Sequence, residues 1–232
     1  MLYCKDKEAY GAAEAAACSF PASFYHTINC RPAEISDFVL KAEDPEAKWA
    51  EVNVMKIGTF GTATTPVKCR VEVKDGVLDW KSAGLSLAVV FERYGKNGNV
   101  GYGLVEGALT KPGAVATTWS HDSHNLFVLG TDENDMKLAQ SASGAPGGIC
   151  GIRRRKVPGG GETYNRRHRF GSAIEVLGQE LKEVRAAMEG LGYVNNNVIM
   201  SMSTLCLPVS PKLKLTDHGL LTVPGQGTCA VG

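Results

Sequence analysis

The chain has 232 residues, of which 44% are hydrophobic, and this is enough to fill the core of one large globular domain or two small ones. Its net charge of +1, from 25 basic and 24 acidic residues, gives no overall reason to expect a nucleic acid or an anionic membrane as partner. The seven cysteines are scattered without a CxxC pair, and no stretch approaches the ~20 apolar residues of a membrane span, so we expect a cytoplasmic protein with reduced thiols.

The N-terminal third contains strand patterns after a poorly determined segment. Residues 1–37 show only a weak alanine-rich helix at Ala9–Ala17, ahead of Pro21. Apolar and polar residues then alternate in Ala50–Val54 and again in Val67–Val73, which predicts two half-buried strands. The dipeptide Asp75-Gly76 is typical of a tight turn and predicts that the second strand folds back as a hairpin.

The middle of the chain combines buried strands with a glycine-rich passage. Leu85–Phe91 is an apolar run of strand length. The passage GKNGNVGYGLVEGAL follows and gives backbone freedom where another chain segment or a ligand must approach closely. Gly101, Gly103 and Gly107 do not form GxGxxG, and no helix begins after them, so a dinucleotide site is not predicted.

Five consecutive polar residues lie between two further apolar strands. Val115–Thr118 and Leu126–Leu129 read as buried strands, and an Asp three positions before another predicts a helix from Asp132 through Ala139. The polar residues between the strands must line a functional edge or make a tightly bonded turn. They are His121, Asp122, Ser123, His124 and Asn125.

The C-terminal third predicts a second helix and a last strand. A capping box at Ser172 and Glu175 begins the helix, and Gly190 and Gly192 stop it. Its apolar stripe is formed by Ile174, Leu177, Leu181, Val184, Met188 and Leu191. Val198–Leu207 is predicted as a strand that Pro208 ends. The fold class is therefore mixed α/β, with an early antiparallel portion followed by a mixed sheet packed by helices.

The interval Gln140–Gly171 has no apolar period of either 2 or 3.6 residues. Seven of the 25 basic residues lie between Arg153 and Arg169. A flexible basic loop and a disordered insertion are two interpretations, and a nucleic-acid site, with RRRK and RRHR around Tyr164, is a third that no other basic face of the chain supports. A fourth is a shifted reading frame, because codons can be chosen for 153–171 so that dropping one nucleotide yields EEGKCLAEVKLIIAGIVLD, a turn and an alternating strand.

Two blocks carry a family resemblance. AVATTWSHDSHNLFVLGTDENDMKLA at 114–139 and IMSMSTLCLPVSPKLKLTDHGLL at 199–221 resemble the C-terminal domain of bacterial adenine deaminase, a member of the amidohydrolase superfamily. The resemblance covers about 38–223, with 140–171 in doubt and 224–232 as a tail. It implies hydrolytic deamination of adenine in purine salvage, in an enzyme whose divalent metal, manganese or iron, is held by an N-terminal (β/α)8 barrel.

The barrel and its metal ligands are not expected in this chain. The family's HxH pair is absent from the five histidines, and the residues before Ala114 are too few for a barrel of ~250 residues. The chain alone is therefore not expected to catalyse the reaction or to hold a metal cofactor. A gene fragment, a subunit that works with a separately encoded barrel or as a homo-oligomer, and a free-standing domain for ligand binding or subunit interaction remain open.

The candidate site residues follow from the same two blocks. His121, Asp122, Ser123, His124 and Asn125 are candidates for contact with substrate or with another subunit. Alternatively, the block only bonds the backbone of its own turn, or its histidines and Asp122 take part in a metal site for which no distant partner stands out.

Three residues of the second block receive structural roles. Asp217 is predicted to bond the amides of its own turn, and Gly219 to take a positive φ. Cys206 lies in an apolar run without a basic neighbour and is predicted to be an inert core thiol.

Overall fold

The computed structural model describes residues 21–143, 149–157, 160–167, 174–222 and 228–229. The predicted helix at Ala9–Ala17 and the capping residue Ser172 lie outside these ranges. The large sheet contains nine strands: β1 Trp49–Ile57, β2 Thr64–Lys74, β3 Val77–Leu78, β4 Ser86–Phe91, β5 Val100–Glu106, β6 Ala114–Thr117, β7 Leu126–Gly130, β8 Ile149–Val157 and β9 Gly160–Arg167. The α-helices are α1 Glu133–Ala142, α2 Ile174–Gly190 and α3 Val198–Ser203, and three further strands are β10 Leu213–Thr216, β11 Gly219–Thr222 and β12 Thr228–Cys229. Short 3-10 helices lie at Ala22–Tyr25, Ile35–Phe38 and Thr204–Cys206.

The large sheet is mixed, and its strand order is β3-β2-β1-β5-β4-β7-β6-β8-β9. β1 and β5 pair in parallel, whereas the other neighbours in the sheet pair antiparallel. β10, β11 and β12 form a second, small antiparallel sheet. The structure therefore confirms the mixed α/β fold class, and the early antiparallel portion continues into the same sheet as the later strands.

Two cores cover the two faces of the large sheet. β4 shows the division, since Leu87, Val89 and Phe91 belong to one core whereas Ala88 and Val90 belong to the other. The first core is closed by α1 and by residues 33–42, and the second by α2, α3 and the β10–β11 hairpin. A sheet that is buried on both faces explains why β4 and β7 read as continuous apolar runs.

Several predicted elements are present where the sequence placed them. The Asp75-Gly76 turn has φ of 52° and 73° at its two residues, as a two-residue hairpin turn of the I′ type requires. The side chain of Asp132 accepts a hydrogen bond from the Asp135 amide and so caps α1. α2 ends at Gly190, and Gly192 follows with φ of 84°.

The prediction of a strand at Val198–Leu207 is wrong. Val198–Ser203 forms α3, and Thr204–Cys206 continues it as a 3-10 turn. The side chain of Asn197 accepts a hydrogen bond from the Met200 amide and caps the helix. Except for Met200, which is 43% exposed, the residues of this segment are buried all round, so no apolar period distinguished a helix from a strand.

Candidate functional site

Three loops meet at one end of the large sheet. β4 pairs with β5 and β7 so that Phe91, where β4 ends, faces both Val100 and Leu126, where those strands begin. The β4–β5 loop and the β6–β7 turn therefore lie side by side. The β10–β11 turn reaches the same place, because a Cβ added at Gly101 would lie 1.9 Å from the carbonyl oxygen of Thr216. We call the surface formed by residues 92–99, 118–125 and 216–219 the polar end.

The turn between β6 and β7 is closed by its own polar groups. The hydroxyl of Ser120 donates to the carbonyl oxygen of Asn125 at 2.6 Å, and the amide of His124 donates to the carbonyl oxygen of Ser120 at 2.7 Å. The Asn125 amide donates to the Ser123 hydroxyl at 3.3 Å. His124 has φ of 53°, a conformation that L-residues seldom adopt. Part of the polar content of the turn is thus used by its own backbone.

The two histidines of this turn lie close together near solvent. Their ring centroids are 5.9 Å apart with an interplanar angle of 87°, and His121 is half-buried while His124 is exposed. Nδ1 of His124 lies 3.2 Å from the carbonyl oxygen of Thr118. Because a carbonyl oxygen only accepts, Nδ1 carries the proton in the neutral ring, and Nε2 keeps the free lone pair. Asp122 and Ser123, which separate the two histidines, are exposed as well.

The second block joins the first through Asp217. Its carboxylate accepts hydrogen bonds from the side-chain amides of Asn125, at 3.2 Å, and Asn99, at 3.4 Å. Nε2 of His218 lies 3.5 Å from the same carboxylate. The contacts with Asn125 and Asn99 join residues that are more than ninety positions apart in the sequence, which the sequence alone did not predict.

The turn that carries Asp217 is only partly as expected. Gly219 has φ of 103°, in agreement with its predicted conformation. The amide of His218, however, donates to the Thr216 hydroxyl at 3.2 Å, whereas the described partners of the Asp217 carboxylate are side chains. Asp217 was predicted to bond the amides of its own turn; it bonds two neighbouring loops instead.

The β4–β5 loop is organised around a buried carboxylate. Glu92 is 5% exposed, and its carboxylate accepts hydrogen bonds from the amides of Tyr94 at 2.7 Å, Lys96 at 2.8 Å and Asn97 at 3.3 Å. Burial by itself would raise the pKa of Glu92, but these amides together hold that pKa below its ordinary value. Glu92 therefore fixes the loop that carries Asn99 and Tyr94.

Tyr94 connects this loop with the histidine turn. Its hydroxyl donates to the carbonyl oxygen of Ser123 at 2.8 Å, and the ring contacts the cations of Arg93 at 4.9 Å and Lys96 at 5.7 Å. A pocket of about 320 Å³ borders the loop, at the small end of the range for ligand pockets. Its lining includes Asn29, Arg31, Lys96, Asn97 and Asn99.

Glu92→Gln is expected to lower the free energy of unfolding at pH 7 by about 1–3 kcal/mol, because the loop amides lose a charged acceptor. Because the folded pKa of Glu92 lies below its ordinary value of 4.5, this stabilisation is present above pH 4.5 and disappears as the pH falls through the folded pKa. Urea unfolding at pH 7 and pH 3 measures both effects.

The matched control for Glu92 is Glu51→Gln, at a glutamate whose side chain is 63% exposed and pairs with Lys68 on the surface. Its effect is expected to stay within about 0.5 kcal/mol at both pH values. A difference between wild type and Glu92→Gln that is equally large at pH 3 and pH 7 would contradict the role of the ionised carboxylate.

A buried lysine lies behind the second block. Lys214 is fully buried, and its ammonium donates to the carbonyl oxygen of Thr62 at 2.9 Å. Burial lowers the pKa of Lys214 to about 8. Burial also raises the pKa of the neighbouring Cys206 thiol, which keeps it protonated and agrees with its predicted role as an inert core residue.

The described part of the chain offers no metal centre. Within residues 21–143, 149–157, 160–167, 174–222 and 228–229, no group of three or more His, Cys, Asp or Glu side chains could hold a metal ion. Asp217, whose carboxylate lies 3.5 Å from Nε2 of His218, already accepts hydrogen bonds from two side-chain amides. The described residues therefore do not form a site for the divalent metal that the resemblance implies for the intact enzyme. His168 lies outside the described residues.

The interpretation of the basic segment as a flexible loop or a disordered insertion is wrong for 149–157 and 160–167, because these residues form strands of the large sheet. Residues 149–157 and 160–167 form the paired strands β8 and β9, and their side chains lie outside the described part. The nucleic-acid interpretation and the shifted reading frame stay predictions. Among the described helices, none combines the length and the apolar character that crossing a bilayer requires.

Sequence reasoning found the two blocks but missed their neighbours. Asn99, Arg93 and Tyr94 all lie in the loop that precedes and begins the glycine-rich passage. A cluster of asparagines and glycines after a buried strand is the signal that could have indicated them, since such residues form loops at strand ends. Of the other histidines, His218 lies at the polar end, and His26 lies in the described N-terminal segment with an exposed side chain.

The chain is similar to known proteins over most of its length. A family model described as the adenine deaminase C-terminal domain matches residues 61–159 and 171–226 and leaves 160–170 unmatched. Adenine deaminase 2 of Oenococcus oeni is 40% identical over 208 residues, which are 89% of this chain and 36% of that protein. Adenine deaminase of Clostridium perfringens (strain ATCC 13124) is 39% identical over 207 residues, 86% of this chain and 35% of that protein.

A third relative agrees with these two. Adenine deaminase of Lactobacillus delbrueckii subsp. bulgaricus is 35% identical over 215 residues, which are 89% of this chain and 37% of that protein. The chain thus spans a little over a third of the length of the relatives it matches. The matched residues include all three loops of the polar end, and the chain belongs to the adenine deaminase C-terminal domain family.

Proposed function

We propose that the chain contributes its polar end to the hydrolytic deamination of adenine to hypoxanthine and ammonia, a step of purine salvage in the cytoplasm. The observation that supports this proposal most strongly is the contact between Asn125 and Asp217. It joins two distant blocks at one surface, on which His121 and His124 stand beside each other near solvent.

The chemistry divides between this surface and a barrel. Deamination needs a water molecule activated to attack the purine carbon that bears the amino group, and a divalent metal supplies that activation in the family. We assign the metal, manganese or iron, to an amidohydrolase barrel, in the same or another polypeptide. The polar end helps to enclose the purine against the mouth of that barrel, and Nε2 of His124 accepts a hydrogen bond from an N–H group of the base.

The test is adenine-dependent ammonia release in the presence of manganese. The purified chain by itself is expected to release no ammonia above the rate without protein, because its described residues hold no metal centre. Mixing it with the barrel fragment of an intact relative is expected to produce activity, whereas the barrel fragment alone is expected to be much less active. No activity in the mixture, although both proteins are folded, would contradict the proposal.

The matched control uses the same barrel fragment and changes only the polar end of this chain. The double variant His121→Ala and His124→Ala is expected to raise the KM for adenine or to lower kcat by about tenfold, since a lost hydrogen bond costs about 0.5–1.5 kcal/mol and 1.4 kcal/mol is about a factor of ten. Unchanged kinetics together with lower stability would assign the histidines to structure alone.

The alternative is a non-catalytic domain for ligand binding or subunit interaction. Tyr94, which is 40% exposed between the cations of Arg93 and Lys96, favours this alternative, because Tyr and Arg are enriched in interfaces. A silent mixture in which the chain still forms a stable complex with the barrel fragment would support it.

A further inference from the structure

The carboxylate of Asp217 is placed to hold other loops. Its side chain is 13% exposed, so it needs hydrogen-bond donors in place of water. The described donors are the amide groups of Asn99 and Asn125, which belong to two different loops of the large sheet. Asp217 thus ties the β10–β11 turn to the β4–β5 loop and to the histidine turn.

The side chain of Asn125 can serve this contact in one orientation only. Asn125 is 4% exposed, and its Oδ1 accepts a hydrogen bond from the Arg93 amide at 3.3 Å. Because an amide nitrogen only donates, the oxygen of Asn125 must face Arg93, and its NH2 group must face Asp217. Both ends of the Asn125 amide are therefore used, and the direction of the hydrogen bond to Asp217 is fixed.

The backbone of Asn125 also forms hydrogen bonds within the turn. Its carbonyl oxygen accepts from the Ser120 hydroxyl, and its amide donates to the Ser123 hydroxyl. Ser120 directly precedes His121, and Asn125 directly follows His124. The hydrogen bond between Asn125 and Asp217 therefore restrains both ends of the segment that carries the two imidazoles.

We infer that Asp217 and Asn125 form a positioning pair that sets the geometry of His121 and His124. The pair acts through the turn and needs no contact with substrate. Its effect on catalysis rests on the proposed function, but its effect on the two imidazoles does not. The proposal also explains why the carboxylate of Asp217 bonds side chains of other strands and leaves the His218 amide to Thr216.

Exchanging the two residues tests the pair. D217N replaces one of the two carboxylate oxygens, which accept from Asn125 and Asn99, by an NH2 group that must then face one of those two donors. N125D places two carboxylates against each other at about the 3.2 Å separation of the present contact. In the double variant D217N/N125D, an amide at position 217 donates to a carboxylate at position 125, which still accepts from the Arg93 amide. The exchange thus reverses the direction of the hydrogen bond and keeps it.

The primary measurement is the proton NMR signals of the histidine rings in the full 232-residue chain. Each single variant is expected to shift the signals of both His121 and His124, and the double variant is expected to return them towards their wild-type positions. The signal of His218, which touches Asp217, shows that each substitution has changed the local contact. Single variants that leave both signals in place, or a double variant no closer to wild type than either single one, would overturn the inference.

A second measurement uses the mixture of the chain with the barrel fragment of an intact relative. Each single variant is expected to lower kcat/KM for adenine by about 10- to 100-fold, as small misplacements of catalytic groups do, and the double variant is expected to recover most of the loss. If the wild-type mixture releases no ammonia, the proposed function fails, while the NMR measurement still decides the positioning pair. If N125D does not fold, D217N and Asp217→Ala, which removes both acceptor oxygens, decide it, and unchanged His121 and His124 signals in both would overturn it.

Discussion

Gly101→Ala is expected to lower the free energy of unfolding by about 3 kcal/mol, at the upper end of the range for overpacked sites. The new Cβ would lie 1.9 Å from the carbonyl oxygen of Thr216 and 2.9 Å from the amide nitrogen of Gly219. Both atoms belong to backbone, which cannot turn aside as a long side chain can. Urea unfolding monitored by circular dichroism measures the loss.

The substitution should also disturb the polar end. Thr216 directly precedes Asp217, so a turn pushed away from β5 takes the carboxylate away from Asn99 and Asn125. The matched control is Gly178→Ala within α2, where an added Cβ meets nothing within 4 Å. That variant is expected to gain about 1 kcal/mol, the difference in helix propensity between glycine and alanine. Equal stabilities of the two variants would contradict the close approach at Gly101.

Phe127→Ala is expected to cost about 3–5 kcal/mol, because it removes a large buried side chain and leaves a cavity. Phe127 is the second residue of β7, is 0% exposed, and packs in the core that α2 and α3 cover. A domain of ordinary stability has about 5–15 kcal/mol in total, so the variant is expected to unfold at a much lower urea concentration.

The control for Phe127 is a phenylalanine on the surface. Phe60 lies between β1 and β2 and is 77% exposed, so Phe60→Ala is expected to change the free energy of unfolding by no more than about 0.5 kcal/mol. A loss at Phe127 no larger than the change at Phe60 would show that β7 does not pack in the core as described.

The parts of the fold that sequence reasoning predicted correctly are those set by local chemistry. Asp75-Gly76 supplied two residues that tolerate positive φ, and the alternation in β2 was clear on both sides of Val71. Asp132 began α1 because its carboxylate can cap free amides, whatever the rest of the fold does. Each of these signals acts within a few residues.

The parts that it missed depend on distant contacts. α3 read as a strand because burial on all sides removes the period of a helix, and only Asn197 remained as a local sign. Gly101 showed that something approaches β5, but the approaching group is Thr216, more than a hundred residues later. The Asn125–Asp217 contact likewise depends on how the small sheet sits on the large one, which no local pattern encodes.

β10 lies far along the chain from the residues that it contacts. Thr64 bonds Leu213 across 149 positions, and Lys214 bonds Thr62 across 152. On the ribosome, the first seven strands emerge well before the segment that completes their surface, and long-range contacts of this kind form slowly. During that interval the histidine turn has no Asp217 carboxylate to hold it, so the polar end takes its final form only after residues 216–219 have emerged.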